Sequence, residues 1–207
     1  MPVAPGLLGA FVLAALLLCV TPGPDMIYIV THGVSQGTRQ AVVAGLGMAA
    51  GMLVHTSAVT LGLAGLVRAS PVAYDVVRYG GAAYLVVLGW RTIREARATP
   101  ELAPVSPAPL PAVFTRATLT NLLNPKIVLF YLAFLPQFTE PGRAPLALQF
   151  LVLGLVFVVL GLVVDTGVAL LSGRVGDWLT HNAKASQRLN EAAGLVFFGL
   201  AGRLVLT

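Results

Sequence analysis

Hydrophobic residues along this chain come in long runs, broken only briefly by polar ones. Six apolar segments stand out, at about residues 6 to 30, 41 to 67, 72 to 90, 113 to 138, 146 to 171 and 191 to 206. Most are as long as the roughly 20 apolar residues that carry a helix across a bilayer. In lipid, backbone donors and acceptors must be satisfied within the segment, which favours helices over isolated strands. The pattern therefore predicts an all-α integral membrane protein of six hydrophobic helices. The sixth run has only about 16 residues and contains Arg203, so spanning would call for tilt, membrane thinning or snorkelling of that side chain.

The stretch from Arg91 to Thr115 is the one long connection, and its five prolines (Pro100, Pro104, Pro107, Pro109, Pro111) favour an extended linker. It divides the chain into residues 1–93, a Pro-rich linker 94–112, and residues 113–207, with three apolar segments on each side. The halves match at increasing offsets. Pro24-Asp25 corresponds to Pro125-Lys126, His55-Thr56 to Asp165-Thr166, and Gly81 and Gly89 to Gly194 and Gly202. An odd number of spans per unit turns the second copy over, so the expectation is two inverted three-helix repeats.

Composition agrees. Of 207 residues, 57% are hydrophobic and 10% charged, against about 25% charged in a soluble domain; mean hydropathy is +0.87. Six spans leave no room for a separate catalytic or nucleic-acid-binding domain. The net charge of +5 is spread singly between apolar runs, as for juxtamembrane anchors, and no nucleic-acid partner is expected. With the N-terminus outside, the inner loops hold Arg39, Arg91, Arg94, Arg97, Arg116, Arg174, Lys184 and Arg188, and the outer side Arg68, Arg78, Arg143 and Arg203. That eight-to-four bias predicts both termini outside. Residues 1 to 38 lack Lys and Arg, unlike the positive start of a signal peptide, so the first segment is expected to be retained.

The candidate chemistry lies where two segments are interrupted. The first contains Thr21-Pro22-Gly23-Pro24-Asp25, whose prolines break a helix, and the fourth contains Asn121-Leu122-Leu123-Asn124-Pro125-Lys126. Asn before Pro is a helix-start signal, so helices one and four are expected to be broken and to restart at Pro24 and Pro125. Each restart is expected to aim free N–H groups and a positive dipole end inward, suited to a carboxylate. Asp25 and Lys126 follow the two prolines directly. An isolated charge at this depth costs roughly 3 kcal/mol. One reading is a structural ion pair; the other is that the two residues sort a zwitterion, Lys126 holding its carboxylate and Asp25 its amino group or a coupling cation.

Asp165 is the interior acid of the fifth segment and the candidate for ion coupling, as a group that binds and releases a proton. The second segment places Ala44, Gly47, Gly51, His55, Ala58, Gly62 and Gly65 three or four residues apart, a small-residue face for close helix packing. The fifth carries a weaker stripe that includes Gly154, Gly161 and Asp165, so the two helices are expected to cross. His55 on that face is read as a packed histidine or as a proton relay. His32 and His181 fall in predicted loops or segment ends, and no metal site is expected. Tyr28 and Tyr131 lie about a turn past each break and are expected to line the same cavity. Trp90, Trp178, Tyr79 and Tyr84 read as interfacial anchors. The lone Cys19 is read as a small core residue, which rules out disulfide frameworks and thiol-electron carriers.

Taken together, Pro22-Gly23-Pro24-Asp25, Gly33-Val34-Ser35-Gln36-Gly37, Tyr79-Gly80-Gly81-Ala82-Ala83-Tyr84-Leu85 with Leu88-Gly89-Trp90, and Asn121-Leu122-Leu123-Asn124-Pro125-Lys126 with Phe134-Leu135-Pro136-Gln137-Phe138 resemble the lysine-exporter family of amino-acid efflux proteins. The similarity is closer to its homoserine, threonine and homoserine-lactone exporting branch, and it covers nearly the whole chain in order. It implies a multi-pass exporter of amino acids or derivatives in the cytoplasmic (inner) membrane, driven by proton antiport, without a cofactor and working as a homodimer in membrane lipid. It places the family's broken-helix motifs on Pro22 to Asp25 and Asn124 to Lys126. Glu101 to Pro111 is less charged and more Pro-rich than the family pattern. A divalent-metal or other small-cation exporter of the same superfamily is the alternative, although it would want more carboxylates or histidines in the membrane. An intramembrane aspartic protease built on Asp25 and Asp165 is a remote one, since Lys126 works against a shared proton. Neither a His-Glu-x-x-His motif nor a serine-histidine nucleophile pattern is present, and no enzyme is expected.

Overall fold

Over its described residues each apolar run folds as helix, and the interruptions of the first and fourth fall at the prolines. The structure, a computed structural model, describes residues 1–63, 65, 71–95 and 105–206. The first run is α1 (Pro5–Val20) and α2 (Pro24–Gln36), and the second is α3 (Thr38–Ala58), continued by a π-helical turn at Val59–Leu63. The third is α4 (Pro71–Glu95). The fourth is split into α5 (Leu110–Leu122), α6 (Pro125–Leu129), a π-helical turn at Phe130–Phe134 and a 3-10 turn at Leu135–Phe138. Then come α7 (Leu146–Leu170), α8 (Ser172–His181) and α9 (Ala183–Leu206). No strand occurs among the described residues.

Outward faces are apolar. On α7, Leu148, Leu151, Leu155, Val159 and Val163 are exposed at helical spacing, an arrangement water would penalise and lipid accepts. By length and hydropathy, Thr38–Gly62 and Leu146–Leu170 qualify as membrane spans. Pro5–Val20 with Pro24–Gln36, bent by 49°, makes a third if taken as one broken span. The sixth run is longer than expected: α9 covers 24 residues because the polar stretch from Ala183 to Asn190 is also helical. His32, expected near a loop, is instead buried in α2, its Nδ1 2.9 Å from the Tyr28 carbonyl.

Small residues set the packing. The antiparallel pair α3 and α7 meets where Gly45 faces Asp165, Met52 faces Gly161 and Thr56 faces Gly154; the two helices pack together as expected, but not stripe on stripe, because Gly47 and Gly51 of the α3 stripe face α5 instead. On its other side α3 runs parallel to α5, and a side chain at Gly51 would put its Cβ 2.6 Å from Asn121 Oδ1. Helices α4 and α9 form a second antiparallel pair in which a Cβ on Gly89 would lie 2.9 Å from the Gly194 carbonyl oxygen. Beneath α1, the rings of Phe11, Phe130, Phe134, Phe138 and Phe157 cluster at centroid separations of 4.1 to 6.1 Å.

The end of the Pro-rich connection is tied down. Gly37 takes φ of 90° to turn the chain from α2 into α3, a conformation that costs glycine little. The adjoining Gln36 donates to the Ser106 carbonyl (2.9 Å) and accepts from the Ala108 N–H (3.3 Å). Pro107 and Pro109 lie in non-helical backbone, as expected, and Pro111 in the first turn of α5; Arg97, Pro100 and Pro104 lie outside the described residues, as does Arg68.

Candidate functional site

The two interruptions meet. Pro22 and Pro24 have no N–H to donate to the preceding turn, so α1 ends at Val20, where the Thr21 N–H and hydroxyl both bond the Leu17 carbonyl (3.1 and 2.6 Å). The Thr21 carbonyl is left without a helical partner, and Lys126 supplies one, its Nζ donating at 2.9 Å. Across the contact, Asn124 precedes Pro125, and its Oδ1 accepts from the Lys126 backbone N–H at 3.0 Å, closing the start of α6.

The Asn124 side chain has a second role. Its Nδ2 donates to Asp25 Oδ1 at 2.8 Å, while Asn121 Nδ2 donates to Asp25 Oδ2 at 2.7 Å. Asn121 and Asn124 are buried. Each oxygen of Asp25 thus receives one amide hydrogen from the opposite broken segment, a charge-assisted pair of short bonds. Asp25 and Lys126 form no ion pair with each other, unlike Arg143 and Glu140 at 3.3 Å. Of the two open readings, the structural ion pair is not what the geometry contains. The opposite charges stand in one site, each held by neutral groups.

Asp25 and Lys126 wall a cleft of about 390 Å³, including its mouth, together with Thr21, Gly23, Cys19 and Asp165. It is narrow enough to admit water but no amino acid without movement of its walls. Asp165 enters from α7, close to Gly45 of α3, and accepts no hydrogen bond among the described residues. The cleft therefore holds one cation, one carboxylate fixed by two amides, and one carboxylate with free lone pairs.

Other expected residues sit differently. The two restarts are not alike: α2 begins at Pro24 without a side-chain cap, whereas the Asn124 side chain closes α6, so free N–H groups of the expected kind occur only at the first. Tyr131 does not line the cleft. It is buried, with its hydroxyl 2.9 Å from Thr56 Oγ1 and donating to the Met52 carbonyl at 3.0 Å. Tyr28 does not line it either, since its hydroxyl donates to the Val113 carbonyl (3.2 Å) and its ring lies against that of His32, tilted by 30° at 4.2 Å. The ring of His55 stacks on Tyr131 at 5.3 Å, behind the cleft, with a buried Nε2 that has no partner. Pro22, Pro24 and Pro125 shape the breaks.

Sequence reasoning passed over Thr21, which walls the cleft, and assigned Cys19 to the core, against which it does pack while also walling the cleft. Thr21 had a readable signal: a residue followed by Pro-Gly-Pro at a helix end has a carbonyl without a helical donor. Cys19 had none, because its direction depends on where α1 bends.

Comparison with known proteins agrees with these features. The family described as LysE type translocator matches residues 16–207. The chain is 35% identical over 196 residues, 95% of its length and 94% of the relative's, to a homoserine/homoserine lactone efflux protein of Salmonella typhimurium. It is 34% identical to an uncharacterized membrane protein of Vibrio cholerae, covering 96% of this chain and 95% of that one. To a leucine efflux protein of Klebsiella pneumoniae it is 28% identical, over 94% of this chain and 92% of the relative. No solved structure matches. With a family match over residues 16–207 and helices whose outer faces suit lipid, the chain is a membrane transporter rather than an enzyme, and it belongs to the LysE type translocator family.

Proposed function

We propose that this protein exports amino acids or amino-acid derivatives across the cytoplasmic membrane by alternating access, exchanging them for protons. The observation that carries the reading is the unpaired state of Asp25 and Lys126 in one cleft. A zwitterion needs a cation and an anion a few ångströms apart and not already neutralising each other. The substrate carboxylate replaces the Thr21 carbonyl on Lys126 Nζ. Its ammonium goes to Asp25, whose oxygens keep lone pairs beyond those used by Asn121 and Asn124. Asp165, which accepts no hydrogen bond, takes the coupling proton, with His55 as a relay behind it. Tyr28 and Tyr131 support the site by bonding it to α5 and α3.

The architecture we infer is six helices in two inverted repeats, residues 1–93 and 113–207, joined by 94–112, with both termini outside and two copies forming a homodimer. It is supported by the antiparallel pairs α3–α7 and α4–α9, which join corresponding segments of the two halves, and by the meeting of the first and fourth segments at their breaks. The relatives' names, for homoserine or its lactone and for leucine, favour neutral substrates. A divalent cation exporter gains no support here, since Lys126 in the cleft repels a metal ion.

The test is counterflow of radiolabelled amino acids into proteoliposomes, with a divalent-metal panel beside it. Amino-acid exchange that Asp25→Ala and Lys126→Ala abolish without loss of membrane insertion is the expected result. Normal exchange in both variants, or exchange of metals alone, overturns the proposal.

A further inference from the structure

A second cavity adjoins the cleft, and the two share walls. It lies between α1, α4, α9 and the π-helical turn at Phe130–Phe134, has room for about one water inside (about 10 Å³) although the open space around its mouth brings the total to about 360 Å³, and is bounded by Leu17, Leu88, Phe130, Val196 and Leu200 among others. Lys126 and Leu18 wall both cavities. Apart from Lys126, every residue lining the second is Ala, Leu, Val or Phe. Its lining thus offers no hydroxyl, amide or carboxylate to a ligand.

We propose that this apolar slot receives the side chain of the exported amino acid, and that the transporter accordingly prefers aliphatic substrates of about leucine size to hydroxylated ones. The inference rests on the cleft being the amino-acid site. A carboxylate on Lys126 sits at the junction of the two cavities, and the side chain of an α-amino acid branches one carbon away. With the ammonium turned to Asp25, the remaining direction leads past Leu18 into the slot. Each methylene buried there gains about fourfold in affinity. A hydroxyl there loses its water without gaining a partner, which costs roughly tenfold. The slot is narrow in this conformation, as the cleft is. Both widen if α1 withdraws from α9, two helices in only slight contact.

The test uses the full chain in proteoliposomes, with counterflow of labelled leucine, homoserine and alanine. Leucine is expected to exchange with roughly tenfold or greater preference over homoserine. Val196→Phe, which fills the slot from the half-buried side of α9, is expected to depress leucine exchange about tenfold while alanine exchange falls less than about twofold. Val196→Ser is the second variant. It supplies a hydroxyl without adding bulk and is expected to shift preference toward homoserine. Equal exchange of leucine and homoserine by the unaltered protein, or equal loss of leucine and alanine exchange in Val196→Phe with no shift in Val196→Ser, overturns the inference and leaves the amino-acid site standing. Exchange of none of the three overturns both.

Discussion

Asn124 holds two parts of the site with one side chain, and replacing it separates their contributions. Its Oδ1 closes the α6 start through the Lys126 N–H at 3.0 Å, and its Nδ2 donates to Asp25 Oδ1 at 2.8 Å. A helix cap is worth about 1 kcal/mol, and a hydrogen bond to a charged group about 1.5–3 kcal/mol. Asn124→Ala loses both, about 2.5–4 kcal/mol in total. Asn124→Ser keeps a capping oxygen but is too short to reach Asp25, so it loses about 1.5–3 kcal/mol. Asn124→Asp keeps the cap and turns the second contact into repulsion between carboxylates. The expected order of thermal stability in detergent is wild type, then Ser, then Ala, measured as apparent melting temperature. Asp is expected to lose transport beyond what its stability explains, since it disturbs the charge of Asp25 directly. Counterflow in proteoliposomes reads the transport. If Ser and Ala both melt with the wild type and Asp transports normally, Asn124 does not hold Asp25 and the described geometry is wrong.

Asp165→Asn is expected to keep amino-acid counterflow and to lose its response to an imposed pH gradient; an unchanged response in proteoliposomes would remove Asp165 from coupling. Gly51→Leu is expected to abolish transport and to destabilise by at least 1–3 kcal/mol, because even its Cβ would fall 2.6 Å from Asn121 Oδ1; a stable, active variant in the same two assays would refute that contact. Tyr131→Phe removes a hydroxyl bonded to α3 but leaves Thr56 Oγ1 on the Met52 carbonyl at 2.9 Å. A loss of about 0.5–1.5 kcal/mol in stability with transport retained is expected, and loss of transport at full stability would return Tyr131 to the substrate path.

The helices, their two breaks and the meeting of Asp25 with Lys126 were readable in the sequence, because each rests on a local rule: apolar run length, proline's missing donor, the cost of charge in hydrocarbon; that Asp165 walls the same cleft was not, since it depends on how α7 packs. Side-chain direction was not. Tyr28 and Tyr131 follow their breaks at similar spacing, yet one points at Val113 and the other at Met52, and neither enters the cleft. Their direction is set by which helix packs alongside: α5 for Tyr28, α3 for Tyr131. The helical start of α9 was missed for a different reason. Ala183 to Asn190 is too polar to read as a membrane segment, but helix propensity does not depend on polarity, and Lys, Gln and Arg are good helix formers.

The asymmetry between the two breaks explains how the chain tolerates both. An interrupted helix in an apolar setting leaves acceptors on one side of the break and donors on the other, each costly if unmet. At the second break Asn124 meets the donor locally, and no ligand is required. At the first, the exposed acceptor is the Thr21 carbonyl, and it is met from the other half of the molecule by Lys126. In this conformation, then, the lysine that we propose holds the substrate also closes α1. The Lys126 ammonium has three N–H donors and spends one on Thr21, so only a carboxylate that draws the side chain away leaves Thr21 to water or to the substrate's own ammonium. Substrate binding that pulls Lys126 off Thr21 loosens α1 against the fourth segment as well, and the bond that closes α1 is then part of what that substrate has to replace.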